Sequence, residues 1–348
     1  MTQPSTSRGV TAPPATPGFI PAGIRGKQNI ATVLANGASG AKAGGADATL
    51  ALIRKAFEAR GWSMQLVRLP AQQIARDCAL FVREARGLVV AVGGDGTVNA
   101  VAAACRLHRR PFGVIPTGTF NYVARALGIP LDPEAAVEAL ITGESMSIRY
   151  GEVNGRVFLN NASIGLYPSL LSQRERDERV LGRHRLVALG SGLRALLRQH
   201  PLFEVALELD GERRALTTST VFFGANATQL ADHNIAAAEC IRDGHLAVVS
   251  LALRSRLDVF RALGAALMGK LEDASAVESF CARQVRVSSR RRRITVALDG
   301  ELTVLEPPLE LRLRDSGLQI MAPAAAANSA AVALVAAAVS APPDLLAS

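Results

Sequence analysis

Short apolar runs alternate with amphipathic segments over the first third of the chain. Strands are predicted at residues 30–34, 62–69, 88–92 and 112–115, and helices at 48–60, 71–86, 99–107 and 121–127. Because strands that alternate with helices build parallel sheets, this part predicts an α/β domain. Parallel sheets bind ligands at the carboxyl ends of their strands, so the loops that follow these strands are the candidate sites.

The pattern changes at about residue 146. Short alternating or β-branched runs, bounded by turns such as Asn154-Gly155 and Asp210-Gly211, predict an antiparallel, β-rich region. The predicted strands are 147–153, 156–162, 203–209, 212–223, 246–253, 284–289, 294–298 and 309–313. Two helical insertions, 168–199 and 257–271, interrupt them.

These changes of pattern divide the chain into four parts. Residues 1–28 are rich in Pro, Ser, Thr and Gly and are interpreted as a disordered leader without a secretory signal. Residues 29–145 form the predicted α/β domain and residues 146–323 the β-rich domain. Residues 324–348 are rich in alanine and are interpreted as a flexible tail rather than a membrane-spanning helix.

The charge balance favours anionic partners. The chain has a net charge of +9, mostly from arginine, which fits a nucleotide, a nucleic acid or an acidic membrane surface. Only 4% of the residues are aromatic and no DNA- or RNA-binding motif is present, which disfavours nucleic acid. The arginine-rich insertion at 168–199 is either a basic amphipathic helix on anionic lipid or an ordinary surface helix.

The cysteines and histidines do not have the spacing of a metal site. Cys78, Cys105, Cys240 and Cys281 are far apart and form no Cys-x-x-Cys pair, which predicts reduced thiols in a cytoplasmic protein without structural zinc. The five histidines likewise form no ligand spacing.

A glycine-rich loop follows the third predicted strand. It reads Gly93-Gly94-Asp95-Gly96-Thr97 and leads directly into a helical pattern that includes Asn99. Glycines allow positive φ and close approach of a ligand, and the helix N-terminus favours phosphate. A carboxylate beside phosphate requires a cation, so Asp95 suggests a hydrated Mg²⁺. The alternative is an ordinary glycine turn between strand and helix.

Two further segments carry candidate chemistry. Pro116-Thr-Gly-Thr-Phe-Asn121 follows the fourth predicted strand and offers a second loop of glycine, hydroxyl and amide groups, or a plain βα connection. Leu298-Asp-Gly-Glu301 places two carboxylates at a tight turn, where one could serve as a general base. The alternative is a hairpin turn with two surface acids, and Asp210-Gly-Glu212 shows that the tripeptide also occurs elsewhere in the chain.

Together these motifs resemble the diacylglycerol kinase catalytic-domain family, in particular its bacterial soluble lipid-kinase branch, which is related to the sphingosine kinases. The resemblance extends from about residue 29 to 322. Its motifs are residues 93–99, 116–121, 124–130, 160–168, 243–244 and 298–301.

The resemblance implies a three-layer N-terminal α/β domain, a C-terminal β-sandwich, and ATP with Mg²⁺ between them. The implied ATP contacts are Asn36, Ser39, Gly40, Gly93, Gly94, Asp95, Gly96, Thr97, Asn99, Gly118, Thr119 and Asn121. Glu301 would be the general base and Asp299 would support it or contact Mg²⁺. Asp243 would bind a second metal ion with the backbone carbonyls of Cys240 and His245.

The implied reaction is transfer of the γ-phosphoryl group of ATP to a lipid hydroxyl, of diacylglycerol or a sphingosine-like lipid, in phospholipid biosynthesis. The protein would be cytoplasmic and peripherally bound to an anionic membrane, and a homodimer is a possible assembly. Ala100, Gly37 and the segment 224–228 depart from the family pattern. Two alternatives therefore stay open: phosphorylation of a soluble substrate, as in NAD kinases, and a catalytically weakened nucleotide- or lipid-binding protein.

Overall fold

The computed structural model describes residues 29–36, 45–169, 171, 202–231, 237–255, 258 and 276–327. In its first part, strands and helices alternate as predicted; β1, β3 and β4 are almost fully buried, whereas β2 at the edge of the sheet is partly exposed. The elements are β1 Ile30–Asn36, α1 Gly45–Glu58, β2 Ser63–Leu69, α2 Ala71–Glu84, β3 Leu88–Gly93, α3 Asp95–Leu107, β4 Phe112–Pro116, α4 Tyr122–Ala126 and α5 Pro133–Thr142.

The second part is made of short antiparallel strands with few helices. Its elements are β5 Glu144–Ser147, β6 Tyr150–Val153, β7 Arg156–Phe158, β8 Asn161–Gly165, β9 Phe203–Leu209, β10 Glu212–Thr218, β11 Thr220–Gly224, α6 Ala227–Ala231, α7 Ala238–Arg242, β12 Leu246–Leu251, β13 Val277–Ala282, β14 Gln284–Ser288, β15 Ile294–Leu298, β16 Glu301–Leu305, β17 Leu309–Arg314, β18 Gln319–Ala322 and α8 Ala324–Ala327. The predicted insertions at 168–199 and 257–271 lie almost entirely outside the described residues.

Three six-stranded sheets organise the molecule. The first has the order β2-β1-β3-β4-β18-β5, and β1 to β4 are parallel. The other two, β10-β9-β14-β17-β6-β7 and β13-β12-β11-β8-β15-β16, are antiparallel. Apolar side chains from both antiparallel sheets form one core, which makes this part a β-sandwich. The predicted α/β domain and β-sandwich are therefore both present.

The predicted boundary at residue 323 assigns one strand to the wrong domain. β18, near the end of the described chain, pairs in parallel with β4 and antiparallel with β5, and so completes the first sheet. Its side chains Ile320 and Ala322 are buried in the core of the α/β domain. The chain thus crosses into the sandwich after β5 and returns to the first sheet at β18. The residue pattern of β5 or β18 does not show to which sheet the strand belongs.

Two predicted strands are in reality pairs of strands that change sheets. The run 212–223 divides at Ser219 into β10 of one sandwich sheet and β11 of the other, and the run 156–162 divides at residues 159–160 into β7 and β8. Neither corner contains a glycine or proline that would mark the break in the sequence. The second of these corners carries part of the candidate site.

The prediction that all cysteines are reduced is wrong for one pair. Cys240 of α7 and Cys281 of β13 form a disulfide, with Cα atoms 5.3 Å apart. Their 41-residue separation in the chain concealed the pairing, because sequence does not give connectivity. Cys78 and Cys105 are free and buried. Burial raises the pKa of the Cys78 thiol to about 12 and raises that of Cys105 further.

No helix among the described residues is long and apolar enough to cross a membrane.

Candidate active site

The ends of three parallel strands lie at the carboxyl edge of the first sheet. β1, β3 and β4 are neighbours in parallel register, with Ala35 opposite Val92 and Gly93 opposite Pro116. Their ends bring Asn36, the loop that begins at Gly93 and the loop after Pro116 to one edge, as the sequence predicts for a parallel sheet. Ser39 and Gly40, which follow Asn36, lie outside the described residues.

The first two glycine loops touch each other through their backbones. The amide of Thr117 donates to the carbonyl of Gly93, with an N–O distance of 3.0 Å. A Cβ on Gly118 would lie 2.4 Å from Cα of Gly94, and one on Gly93 would lie 2.5 Å from Oγ1 of Thr97. Gly93, Gly94, Gly96 and Gly118 all lack positive φ. These glycines thus allow close contact between the two loops without positive φ, and the close approach of a ligand stays a prediction.

The N-terminus of α3 faces this junction. Gly94 is its N-cap, and glycine has no side chain that could cap the amides of the first turn. Two buried oxygens beside it lack a hydrogen-bond partner within the described residues, Oδ1 of Asn99 and Oγ1 of Thr117. Amides and hydroxyls at a helix N-terminus suit an anion such as phosphate. Thr119, the hydroxyl that the sequence suggests, is exposed, and Thr117 was not singled out.

Asn121 holds the second loop in shape. Its backbone is left-handed, with φ of 52°, and its side chain accepts from the amide of Gly118 at 3.0 Å and donates to the carbonyl of Gly118 at 2.9 Å. Both polar atoms of the side chain are therefore used within the loop. The structure favours a loop-shaping role for this predicted ATP contact.

Asp95 is a largely buried carboxylate between the loops and α4. Burial raises its pKa above the usual range, and hydrogen bonds from the amides of Val123, Tyr122 and Asn121 and from the side chain of Asn160 lower it in part. Its Oδ1 has no hydrogen-bond partner among the described residues. A buried carboxylate oxygen without a partner carries a large desolvation cost, which a bound cation would offset.

Asp299 is partly buried, and its carboxylate accepts from three backbone amides. Oδ2 accepts from Leu159 at 2.6 Å, and Oδ1 accepts from Asn160 and from Asn161, each at 2.8 Å. These amides belong to the corner between β7 and β8. Burial raises the pKa of Asp299 to about 7; the three amides oppose this rise and the nearby Asp95 charge adds to it. Asp299 thereby ties the β15–β16 hairpin to the sandwich corner.

Glu301 is delivered to α3 by the hairpin that Asp299 anchors. Leu298 pairs with Glu301 across a two-residue turn in which Asp299 and Gly300 have φ of 48° and 86°. This is the geometry of a type I′ turn. A Cβ on Gly96 would lie 3.3 Å from Oε1 of Glu301, so the exposed carboxylate is in contact with the first turn of α3. Both interpretations of the tripeptide hold in part: it is a hairpin turn, and its acids lie at the candidate site.

Two buried asparagines lie in the hydrogen-bond network of Asp95 and Asp299, and the sequence motifs include only one of them. Nδ2 of Asn226 donates to Oδ1 of Asn160 at 2.8 Å, and Asn160 in turn bonds Asp95. Both asparagines are almost fully buried. Asn160 lies in a motif of the resemblance, whereas Asn226 lies in the segment 224–228 that departs from the family pattern. The segment nevertheless supplies a side chain to the network.

The donor set at the junction fits Mg²⁺ bound with phosphates. Oδ1 of Asp95 and Oδ1 of Asn99 are buried oxygens without a partner in the described part of the chain, and Mg²⁺ prefers carboxylate and other oxygen ligands together with water. Asp95 with Asn99 would hold the ion.

The second predicted metal site, at Asp243, stays a prediction. Asp243 is exposed at the end of α7, and the carbonyl of Cys240 accepts from the amide of His245 at 2.8 Å. The sulfur of Cys240 is in the disulfide, so only its carbonyl remains as a ligand. Within the described residues, no group of three or more His, Cys, Asp or Glu side chains could hold a metal ion.

The α/β domain and the β-sandwich define a two-domain fold class, and comparisons with known proteins agree with it. Residues 30–153 match the diacylglycerol kinase catalytic domain, and residues 173–322 match the YegS C-terminal NAD kinase beta sandwich-like domain. The chain belongs to the diacylglycerol kinase catalytic-domain family, in the branch that carries this second domain.

Individual relatives match over the N-terminal part. The chain is 38% identical over 140 residues to a "Probable lipid kinase YegS-like" of Pseudomonas fluorescens and 40% identical over 123 residues to a "Diacylglycerol kinase" of Bacillus subtilis. These matches cover 37% and 33% of this chain and 46% and 40% of the relatives, so the chain spans less than half the length of either.

A solved structure supports the whole fold. A crystal structure of a diacylglycerol kinase from Bacillus anthracis str. Sterne superposes with a TM-score of 0.59, covering 87% of this chain and all of that one. The two sequences are 18% identical, so this likeness concerns the fold.

Proposed function

We propose that this protein is an ATP-dependent lipid kinase that transfers the γ-phosphoryl group to a lipid hydroxyl, with diacylglycerol as the first acceptor to test. The contact between Glu301 and Gly96 carries the proposal, because it places a carboxylate of the sandwich domain against the helix turn that faces the phosphate loops. The names of the relatives support the choice of a lipid acceptor.

In this reaction the chain positions groups and moves one proton. The amides at the start of α3 and the loop at Gly118 hold the phosphates, and Glu301 accepts the proton of the lipid hydroxyl. The hydroxyl oxygen then bonds the γ-phosphorus while the bond from that phosphorus to the β-phosphate oxygen breaks, releasing ADP. Mg²⁺, held by Asp95 and Asn99, would neutralise phosphate charge. Asp299 positions Glu301 and does not contact the reacting atoms.

Glu301→Gln tests the proposed base. We expect it to lower transfer of labelled phosphate from ATP to diacylglycerol in mixed micelles by about 100-fold or more, since general bases contribute that much. ATP with Mg²⁺ should still raise the melting temperature of the variant. The matched control is Glu212→Gln, which alters the exposed glutamate of the other Asp-Gly-Glu hairpin and should keep full activity. Equal activity of Glu301→Gln and wild type would remove Glu301 from this role.

The same assay separates the alternatives. The matched C-terminal family is described as NAD kinase-like, which makes NAD⁺ the soluble acceptor to include. Labelled NADP⁺ without labelled lipid would replace the lipid-kinase proposal. ATP-dependent stabilisation without transfer to any acceptor would indicate a binding protein.

Contact with an anionic membrane surface from the cytoplasmic side belongs to the same proposal. The net charge of +9 supports electrostatic attraction to acidic lipid. The disulfide between Cys240 and Cys281 does not favour the cytoplasm, which is a reducing compartment. We expect the protein to sediment with phosphatidylglycerol vesicles and to dissociate as salt is raised from 50 to about 500 mM, because screening shortens the range of charge attraction. Sedimentation with neutral phosphatidylcholine vesicles to the same extent would contradict it.

A further inference from the structure

A groove runs from Glu301 along one face of α3. It has a volume of about 390 Å³, within the range of small-molecule sites. Its walls are α2, α3, the β15–β16 hairpin and the turn between β6 and β7. Asn99 and Glu301 both line it, so the groove reaches the candidate base and the first half of α3.

The wall formed by α3 is made of small side chains. Gly96, Ala100, Ala103 and Leu107 recur every three or four residues and so lie on one helix face, and Asn99 lies beside Ala100 at the start of this wall. Glu301 contacts Gly96 at the start of this face, and Leu107 lies at its end, roughly 16 Å farther along the helix. Ala79 of α2 and Leu302 of the hairpin face it from the other sides.

The charges along the groove are arranged for an apolar ligand with a polar end. Among the described residues that line it, Glu301 is the acidic one. Two arginines also line it: the guanidinium of Arg106 donates to Tyr150 at 2.8 Å and pairs with Glu152, and the exposed Arg156 lies at the start of β7. The alanines of α2 and α3 with Leu107, Leu298 and Leu302 form the apolar part of the lining, and Glu301 supplies the candidate base.

We propose that this groove holds the hydrocarbon chain next to the accepting hydroxyl, and that Ala100 and Ala103 determine how bulky a chain fits. This inference rests on the proposed lipid-kinase function. A larger cavity of about 760 Å³ lies in the sandwich, beside Ile164, Phe203 and Ala215. Neither the phosphate loops nor Glu301 lines that cavity, so a chain held there would not be continuous with the reacting hydroxyl.

Alanine-to-leucine variants test the groove. Ala103→Leu should raise the KM for long-chain diacylglycerol at least 10-fold while leaving the KM for ATP unchanged, and Ala100→Leu should act in the same direction. A short-chain diacylglycerol should be affected less, so the ratio of long-chain to short-chain activity falls. Two controls should behave as wild type: Ala51→Leu on the exposed face of α1, and Ala215→Leu in the sandwich cavity.

The melting temperature of each variant separates loss of fold from loss of fit, and Ala100→Leu replaces Ala103→Leu if the latter does not fold. Unchanged long-chain kinetics in both groove variants would overturn the inference. Selective loss in Ala215→Leu would overturn it as well, and would assign the chain to the sandwich cavity.

A binding experiment keeps this inference distinct from the proposed function. A diacylglycerol with a photoactivatable diazirine on its chain is cross-linked to the full chain, and the labelled peptides are mapped. We expect adducts in 71–84, 95–107 or 298–303. Such adducts without any phosphoryl transfer would support the groove while the kinase proposal fails. Adducts confined to 203–217 or 287–294, or no adducts, would overturn the groove even if transfer occurs.

Discussion

At the scale of single residues, one local motif gives two different outcomes in this chain. Asp210 and Asp299 each begin an Asp-Gly turn with positive φ at both positions, and each carboxylate accepts backbone amides. Asp210 is exposed, whereas Asp299 is partly buried and lies near Asp95. The turn geometry follows from the residue types. Burial depends on which chain segments pack opposite the turn, and that information is not local.

Asp299→Asn tests the consequence of this burial for stability. The pKa of Asp299 is raised to about 7 in the folded protein and is near 4 when unfolded. Its contribution to stability is therefore fully present below about pH 4 and is lost as pH rises towards 7. We expect Asp299→Asn to flatten this part of the pH dependence of the free energy of unfolding, measured by urea denaturation from pH 4 to 8.

The same substitution leaves one buried amide without an acceptor, so we also expect a loss of about 1–3 kcal/mol. Asp210→Asn is the matched control, because it changes an exposed aspartate at the same turn position. It should keep the pH dependence of wild type. If Asp299→Asn keeps that dependence as well, the carboxyl of Asp299 does not titrate in this range.

Residue-level predictions were most accurate where backbone geometry determines the residue type. The need for glycine at positions 93, 94, 96 and 118 could be predicted, since a Cβ at each of them would come within 3.3 Å of a neighbouring atom. The choice between Thr117 and Thr119 could not, because both hydroxyls lie in the same loop and only packing determines which is buried. The role of Asn226 could not be predicted either, since its partner Asn160 is distant in sequence.

At the scale of secondary structure elements, the α/β domain was predictable and the sandwich was predictable only in part. β1 to β4 alternate with helices, which leaves few topologies open. In the sandwich, β7 and β8 belong to different sheets although only two residues separate them, and β18 returns to the first domain. Such corners depend on pairing between distant strands, which a pattern of period two does not specify.

The disulfide between α7 and β13 leads to a prediction at this scale. It closes a loop of 41 residues that brings α7 to the edge of the sandwich, and loops of this length give disulfides a stabilisation of about 2–4 kcal/mol. We therefore expect Cys281→Ser to lower the free energy of unfolding by that amount. Reducing agent should destabilise wild type to a similar extent and leave the variant unchanged.

Alkylation of the denatured, unreduced protein provides the direct check. Mass spectrometry should find labels on Cys78 and Cys105 and a linked peptide pair that contains Cys240 and Cys281. Four labelled cysteines in protein isolated under acid quench would show that the pair is reduced in the cell.

At the scale of the whole molecule, a polar cluster joins the two domains beside the candidate site. Arg106 of α3 donates to Tyr150 and pairs with Glu152 of β6, and Arg314 of β17 donates to Glu152 at 2.8 Å. Glu152 and Tyr150 are both buried. α3 also carries the phosphate-facing turn, so this cluster helps to set the position of the sandwich relative to the phosphate loops.

Glu152→Gln should loosen this connection. An amide replaces the buried carboxylate between two guanidinium groups, so hydrogen bonds to a charged acceptor are weakened and their donors stay partly buried, at a cost of about 1–3 kcal/mol. Because the lost contacts join the domains rather than their cores, we expect the urea unfolding curve to become broader or biphasic. Binding of ATP depends on loops of the first domain and should persist, whereas phosphoryl transfer needs Glu301 from the sandwich and should fall. Glu310→Gln, which alters an exposed glutamate 3.7 Å from Arg312, is the control and should leave both the unfolding curve and phosphoryl transfer unchanged.

A parallel loss of ATP binding and phosphoryl transfer in Glu152→Gln would mean that Glu152 stabilises the first domain itself and does not couple it to the second.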